Sequence, residues 1–226
     1  MNGQINSSKE VPGNNLSRHF SNPITGGAIG FGVGFIVVGI ISTLITWMES
    51  QTEFAGNFPV SLHSAIAISL QSAVGGGIGS VLLGWSLPLR QRLPAALVAA
   101  MGIGLGELLT IYLSVRIGKQ FFAGDMLLGS LAIRSILMGA LAGTFICLVG
   151  KSWKYMGQFA ILGITGFTIY HLFLYWISPI IPVSSFSGNF AIPILILISA
   201  NGIGGTIVGA CLGLPFAKSM VSEQRT

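Results

Sequence analysis

Residues 24–48 read ITGGAIGFGVGFIVVGIISTLITWM, a run without a single charged side chain. A transmembrane helix needs about 20 consecutive, mainly apolar residues, because it must cross a hydrocarbon layer about 30 Å thick. The run is too long for the apolar region of a secretory signal, and no small-residue cleavage site follows it. We therefore interpret this stretch as the first of several membrane spans that the mature chain retains.

The rest of the chain has the same composition. Of its 226 residues, 52% are hydrophobic and only 8% are charged, whereas soluble domains carry about 25% charged residues. So few charges cannot cover a surface that faces water on all sides. The 32 glycines lie mostly inside apolar runs, where glycine lets helix backbones approach each other closely. The composition predicts a polytopic membrane protein that lies in a lipid bilayer.

Five further apolar runs approach or exceed the length that a membrane span requires. The predicted spans are Ile24–Met48, Ser61–Leu83, Pro94–Val115, Met126–Val149, Met156–Ile177 and Phe190–Leu214. Helices are the expected element, because the alternating pattern of a membrane β-barrel is absent. We expect an all-α fold, a compact bundle of six helices over residues 23–216. A polar tail, residues 1–22, precedes the bundle and a short tail, residues 217–226, follows it.

Prolines support these boundaries. Pro94 and Pro193 lie in the predicted first turns of their helices, where the missing N–H group does no harm. Pro88 and Pro215 are expected to follow their helices. No proline falls in the middle of a span, so no proline-broken transport helix is predicted.

A faint internal repeat relates the second and sixth spans. The pattern SAxGxG occurs at 72–77 and at 199–204, and the dipeptide LP follows at the same spacing, at 87–88 and 214–215. A true repeat would make the bundle three tandem helical hairpins. Chance similarity between glycine-rich spans is the alternative explanation.

The basic residues are distributed unevenly between the two ends of the predicted bundle. One end carries Lys9, Arg18, Arg90, Arg92, Lys151, Lys154, Lys218 and Arg225, and the other carries only Arg116 and Lys119. The positive-inside rule therefore predicts that both termini are cytoplasmic, in the plasma (inner) membrane of the cell. No nucleic-acid partner is predicted, because the basic residues do not cluster on one face.

The sequence carries no recognisable catalytic or cofactor motif. The glycine patterns GFGVG and GIGLG lie inside spans, whereas a dinucleotide fingerprint needs a strand, a turn and a helix. Cys147 and Cys211 give neither metal-ligand spacing nor a disulfide framework. We therefore expect no enzyme activity, no metal site and no cofactor.

Two charged residues lie deep in neighbouring spans. By helical rise, Glu107 and Arg134 lie about 20 Å and about 22 Å from the cytoplasmic ends of their spans. The two spans form a hairpin, so we expect the side chains to form an ion pair. Such a pair is either a structural clasp that fixes helix register or part of a functional site, the default hypothesis for an ionisable group inside a membrane.

Three more polar residues lie at a similar height. His171, Asn201 and Gln71 come to about 22, 20 and 18 Å from the cytoplasmic side. His171 is either a hydrogen-bonded core residue or a proton carrier, and the two amides are either interhelical hydrogen-bonding groups or ligand contacts. With Glu107 and Arg134, these residues are the candidate substrate-binding set, in the outer half of the bilayer.

The pattern favours a small-solute transporter, or the substrate-capturing membrane subunit of one. In size, span count and the small residues Gly26, Gly30 and Gly34 of the first span, the chain resembles the substrate-capture subunits of energy-coupling-factor vitamin transporters. That resemblance implies a solute-binding bundle with partner subunits. The alternative is a non-transporting scaffold or assembly subunit of a larger membrane complex. A membrane enzyme is disfavoured, because neither Glu107 nor His171 has a partner nucleophile.

Overall fold

The computed structural model describes residues 22–50, 62–86, 89–121, 126–149, 153–177 and 191–223, and the side chains of 22–44, 66–85, 92–113, 129–148, 153–177 and 194–218. The described residues are 99% helical and include no strand. The predicted all-α fold class is therefore confirmed.

Six long helices make up the described chain. They are α1 (Pro23–Ser50), α2 (Leu62–Leu83), α3 (Leu89–Phe121), α4 (Met126–Val149), α5 (Met156–Ile177) and α6 (Ala191–Glu223). Short 3-10 turns follow α2, at Gly84–Ser86, and precede α5, at Trp153–Tyr155. Each long helix contains a segment long and apolar enough to cross a membrane, so the six predicted spans are confirmed.

Two predictions about proline are wrong. Pro94 lies inside α3, which begins earlier, at Leu89, and Pro215 lies inside α6, which continues to Glu223. Proline removes one backbone hydrogen bond from a helix interior, but neighbouring helices let membrane helices tolerate that loss. Pro215 is fully buried, so packing supports the helix there. Pro88 lies outside the described residues.

The helices form a closed antiparallel ring. Each packs against its neighbours in the chain, and α6 packs against α1. Gly27 approaches Gly209 while Phe31 approaches Gly205, so the residue numbers of α1 rise as those of α6 fall. The first and last helices thus join, and the ring consists of three successive hairpins. We call the end where α1 begins and α6 ends the termini end, and the opposite end the far end.

Backbones touch where the helices cross. A Cβ atom added to Gly209 would collide with the Gly27 carbonyl group, and one added to Gly143 would collide with the Phe159 carbonyl group. A bilayer supplies no hydrophobic drive for helices to associate, so close van der Waals packing must hold them together.

Aromatic side chains fill the middle of the ring. The Phe35 ring of α1 lies 6.2 Å from Phe167 and 5.1 Å, edge-on, from Tyr170 of α5. The Phe31 ring, one turn nearer the termini end, lies 6.3 Å from the Phe35 ring and is tilted by 33° against it. Since α6 separates α1 from α5 in the ring, these side chains meet across its interior.

The outside of the ring is apolar. Large exposed side chains include Leu44, Leu97, Ile136 and Leu195, each more than half exposed. Lipid is the solvent that such a surface fits, and the exposed aromatic Trp153 and Trp176 lie near helix ends, where membrane proteins carry interfacial aromatic residues. The fold supports an integral, multi-pass membrane protein.

Candidate functional site

The Glu107 carboxylate is held by a two-point ion pair between α3 and α4. The Nη2 atom of Arg134 lies 2.6 Å from Oε1, and Nε donates to Oε2 at 2.8 Å. Glu107 is only 3% exposed, whereas the Arg134 side chain is 32% exposed. A bidentate guanidinium satisfies both oxygens of a carboxylate, which makes the buried charge tolerable. The predicted pairing of these two residues is confirmed.

His171 bonds across the α4–α5 interface. Its Nδ1 atom lies 2.8 Å from the hydroxyl oxygen of Ser135, the residue that follows Arg134. The imidazole is 1% exposed, and no described residue contacts its Nε2 atom by a hydrogen bond. His171 therefore has one satisfied nitrogen and one unsatisfied nitrogen inside the bundle.

Asn201 bonds across the α5–α6 interface. The phenol of Tyr170 donates to its Oδ1 atom at 2.6 Å, and its own amide donates to the Leu197 carbonyl at 2.8 Å. The side chain also packs against α1, where a Cβ atom on Gly39 would lie 3.2 Å from the amide nitrogen. Asn201 thus connects three helices.

Gln71 bonds across the α1–α2 interface. The Ser42 hydroxyl of α1 donates to its Oε1 atom at 3.0 Å. The contact is partly buried, so it lies nearer the outside of the bundle than the Asn201 and His171 contacts.

We call Gln71, Glu107, Arg134, His171 and Asn201 the polar belt. Its members do not meet at one point. They bond instead from helix to helix, in four interhelical pairs that involve all six helices: Ser42–Gln71, Tyr170–Asn201, Ser135–His171 and Glu107–Arg134. At about 1.5 Å per residue, the belt residues lie about 18–33 Å from the ends of their helices at the termini end and about 9–21 Å from the ends at the far end, so each lies nearer the far end. On the same scale, Phe31 and Phe35 lie about 12 Å and about 18 Å from the termini end of α1.

Three residues that complete the belt were not predicted from sequence. Ser42, Ser135 and Tyr170 supply the partners of Gln71, His171 and Asn201. Two of them directly adjoin predicted residues, Ser135 after Arg134 and Tyr170 before His171, and that adjacency is the only sequence signal that we find. Hydroxyl groups occur in every span, so their presence alone selects none of them.

Among the described residues, no group of three or more His, Cys, Asp or Glu side chains is placed to hold a metal ion. The chemistry that the described belt offers is hydrogen bonding and charge. Among the described residues, none makes a hydrogen bond with Nη1 of Arg134 or with Nε2 of His171.

No protein family, no curated protein and no solved structure matches this chain.

Proposed function

We propose that this protein is a small-solute transporter, or the membrane subunit that captures the solute for one. The solute enters from the far end of the bundle and binds at the polar belt. With the termini in the cytoplasm, as the distribution of basic residues favours, the far end faces outward. The proposal assigns the protein to the plasma membrane and gives it no catalytic step.

The observation that carries the proposal is that the Arg134 guanidinium has N–H donors that Glu107 does not use. Only Nε and Nη2 contact Glu107, and a guanidinium has five N–H donors. Three donors therefore remain for another partner, on a side chain that is 32% exposed within a span. Charged groups at such depth face a bundle interior or a water-filled cavity, because contact with lipid is costly.

The packing below the belt supports a gated path. Aromatic side chains fill the space between the helices on the termini side of Tyr170; they are Phe31, Phe35 and Phe167. A bound solute would have to displace them to continue. Helix contacts made through glycine backbones, such as Gly27 with Gly209, leave no interlocking side chains to resist sliding at those points.

Ligand-induced thermal stabilisation of the purified protein in mild detergent tests the proposal. The probes are defined panels of amino acids, carboxylates, sugars, nucleosides and inorganic phosphate, each at matched ionic strength. A solute that binds the folded state raises the midpoint of unfolding with its concentration. We expect at least one class to do so for the wild type.

Two variants test whether the stabilising solute binds at the polar belt. Glu107→Gln frees Arg134 from its charged partner, and Asn201→Leu removes an amide from the belt. Both should alter the concentration dependence of the stabilisation, whereas Ile136→Ala, on the lipid face of α4, should not. Equal responses in the wild type and both belt variants would remove the belt from the binding site.

A second candidate is a scaffold or assembly subunit of a membrane complex. The observation that favours it is that each belt residue already bonds a neighbouring helix, as structural groups do. Purification in mild detergent distinguishes the two. A stable heteromeric complex, together with no solute response, supports the scaffold.

A further inference from the structure

The hydrogen bonds around His171 indicate which of its two nitrogens carries the proton when the ring is neutral. The Ser135 hydroxyl has one proton, and it lies 2.8 Å from both the Leu131 carbonyl oxygen and Nδ1 of His171. If Ser135 donates to Leu131, as serines in helices often do, Nδ1 must carry a proton and donate to Ser135. This arrangement makes two hydrogen bonds, whereas donation from Ser135 to Nδ1 makes one.

The Nε2 atom is then a lone-pair acceptor. It is buried, and no described residue donates to it. An unsatisfied polar atom inside an apolar bundle is unfavourable, so we expect Nε2 either to accept a hydrogen bond from a bound molecule or, once protonated, to donate one to it. Through Nδ1, His171 contacts Ser135, the residue that follows Arg134 in α4.

The net charge of the polar belt indicates whether Nε2 of His171 is protonated when a solute is bound. Among the described residues, the charged groups that act on His171 and its neighbour Tyr170 are Glu107 from α3 and Arg134 from α4. Tyr170 is itself titratable and packs against His171 from the same helix, and α6 contributes the neutral Asn201. Glu107 and Arg134 cancel, so a belt with neutral His171 has no net charge. A bound anion would add an uncompensated negative charge, which is costly in a medium of low dielectric constant. One proton on Nε2 would cancel it.

Resting on the proposed function, we propose that the polar belt binds a small monocarboxylate together with one proton. The carboxylate binds the unused N–H groups of Arg134, and Nε2 of His171 holds the proton, which comes from water at the far end. Neither a covalent bond nor an electron transfer is involved. On release, Nε2 returns this proton to a carboxylate oxygen, which leaves the imidazole neutral and lets the solute cross the apolar aromatic layer below the belt as the neutral carboxylic acid.

Calorimetric titration of the detergent-purified protein tests this inference. The probes are sodium pyruvate, sodium lactate and sodium benzoate, with lactamide and glycerol as neutral comparisons and sodium chloride as the ionic-strength control. Binding linked to one proton weakens by about tenfold per pH unit above the pKa of the accepting group. Repeating the titration in buffers of different ionisation enthalpy gives the number of protons taken up, and we expect one.

His171→Asn separates the proton from the structural role of the imidazole. The asparagine amide occupies the place of Nδ1 and still bonds Ser135, but the variant has no counterpart of Nε2. We expect it to keep its unfolding midpoint, to take up no proton and to bind the carboxylates with an affinity independent of pH. Arg134→Lys keeps the charge beside Glu107 and should lose most carboxylate binding, because an ammonium group lacks the remaining fork of donors.

The outcomes separate this inference from the proposed function. Carboxylate binding by the wild type without proton uptake overturns the inference, even if the variants do not fold. Binding of lactamide as strong as that of lactate also overturns it, although a solute site would then still stand. A panel of monocarboxylates without any response overturns the inference, while the broader solute panel decides the proposed function.

Discussion

Glu107 and Arg134 show how a single residue pair makes a charged group compatible with a membrane span. The carboxylate is almost fully buried, and both of its oxygens are bonded. The cost of removing it from water is thus offset by two charge-assisted hydrogen bonds. The guanidinium is only partly buried, so it retains some contact with its surroundings.

Removing one member of this pair should destabilise the protein. Arg134→Ala leaves Glu107 as an unpaired buried charge, which costs about 3–5 kcal/mol when both partners are fully buried. Because Arg134 is 32% exposed, we expect a smaller loss. Reversible unfolding in mixed micelles measures the loss, and the double variant Glu107→Leu/Arg134→Met should recover most of it. A double variant as unstable as Arg134→Ala would contradict the unpaired-charge explanation.

Tyr170 offers a test of a neutral buried hydrogen bond. Tyr170→Phe keeps the ring against Phe35 and removes only the donor to Asn201. Interhelical hydrogen bonds in membrane proteins contribute about 0.6 kcal/mol on average, and we expect a loss of about that size. The same unfolding measurement applies. A loss as large as that of a core truncation would show that Tyr170 does more than bond Asn201.

The predictability of these contacts depends on the residue type. Glu107 and Arg134 could be paired from sequence because both are charged, rare in spans and equally deep on the two helices of a hairpin. The partners of His171 and Asn201 could not, since serine and tyrosine hydroxyls are common and their helical faces depend on packing. The expectation that five polar groups share one level needed only the helical rise.

At the scale of the helix, neighbouring backbones touch at glycine residues. Gly209→Ala places a methyl group against the Gly27 carbonyl, and backbone at this contact cannot move aside as a side chain can. Overpacking costs about 1–3 kcal/mol, so we expect a lower unfolding midpoint. Gly77→Ala is the matched control, because its Cβ would make only ordinary contact, 3.4 Å from Ala100. Equal stability of the two variants would contradict the role of backbone contact.

Helix length was predicted well where hydropathy changes sharply and poorly where it does not. The bounds of α4 and α5 agree with the prediction to the residue. The end of α6 does not, because Pro215 was expected to stop the helix and instead lies buried within it. A proline signals a helix end only when packing does not support the helix beyond it.

At the scale of the whole molecule, the ring closes by contact between its first and last helices. Packing of α1 on α6 is extensive and antiparallel, yet no short connection links them in the chain. Sequence reasoning could expect neighbours only within hairpins, because loop length reports on consecutive helices. The closure brings Asn201 against Gly39 and so extends the belt around the molecule.

Reporter fusions test the predicted orientation. Six crossings with cytoplasmic termini predict that alkaline phosphatase fused after Thr226 is inactive and that the same enzyme fused after Asp125 is active. Green fluorescent protein at the same two points should give the opposite pattern, because it folds in the cytoplasm. An active phosphatase after Thr226 would reverse the orientation and place the polar belt nearer the cytoplasm.

A binding site at the polar belt requires that water and solutes reach the belt from the far end. Ser135→Cys introduces a thiol beside His171. Ile136→Cys introduces a thiol at the next residue of α4, which lies on the exposed, lipid-facing side of that helix. Both variants are made with Cys147 and Cys211 replaced by alanine. The measurement is the rate of modification by sulfonatoethyl methanethiosulfonate, an anionic reagent that does not cross membranes, added from the far end.

Thiolates form and react where water reaches them, so we predict that Ser135→Cys reacts more than about tenfold faster than Ile136→Cys. A solute that stabilises the protein should slow the reaction at Ser135→Cys alone. If Ser135→Cys does not react, or reacts no faster than Ile136→Cys, the belt is a sealed structural feature and the proposed binding site is contradicted.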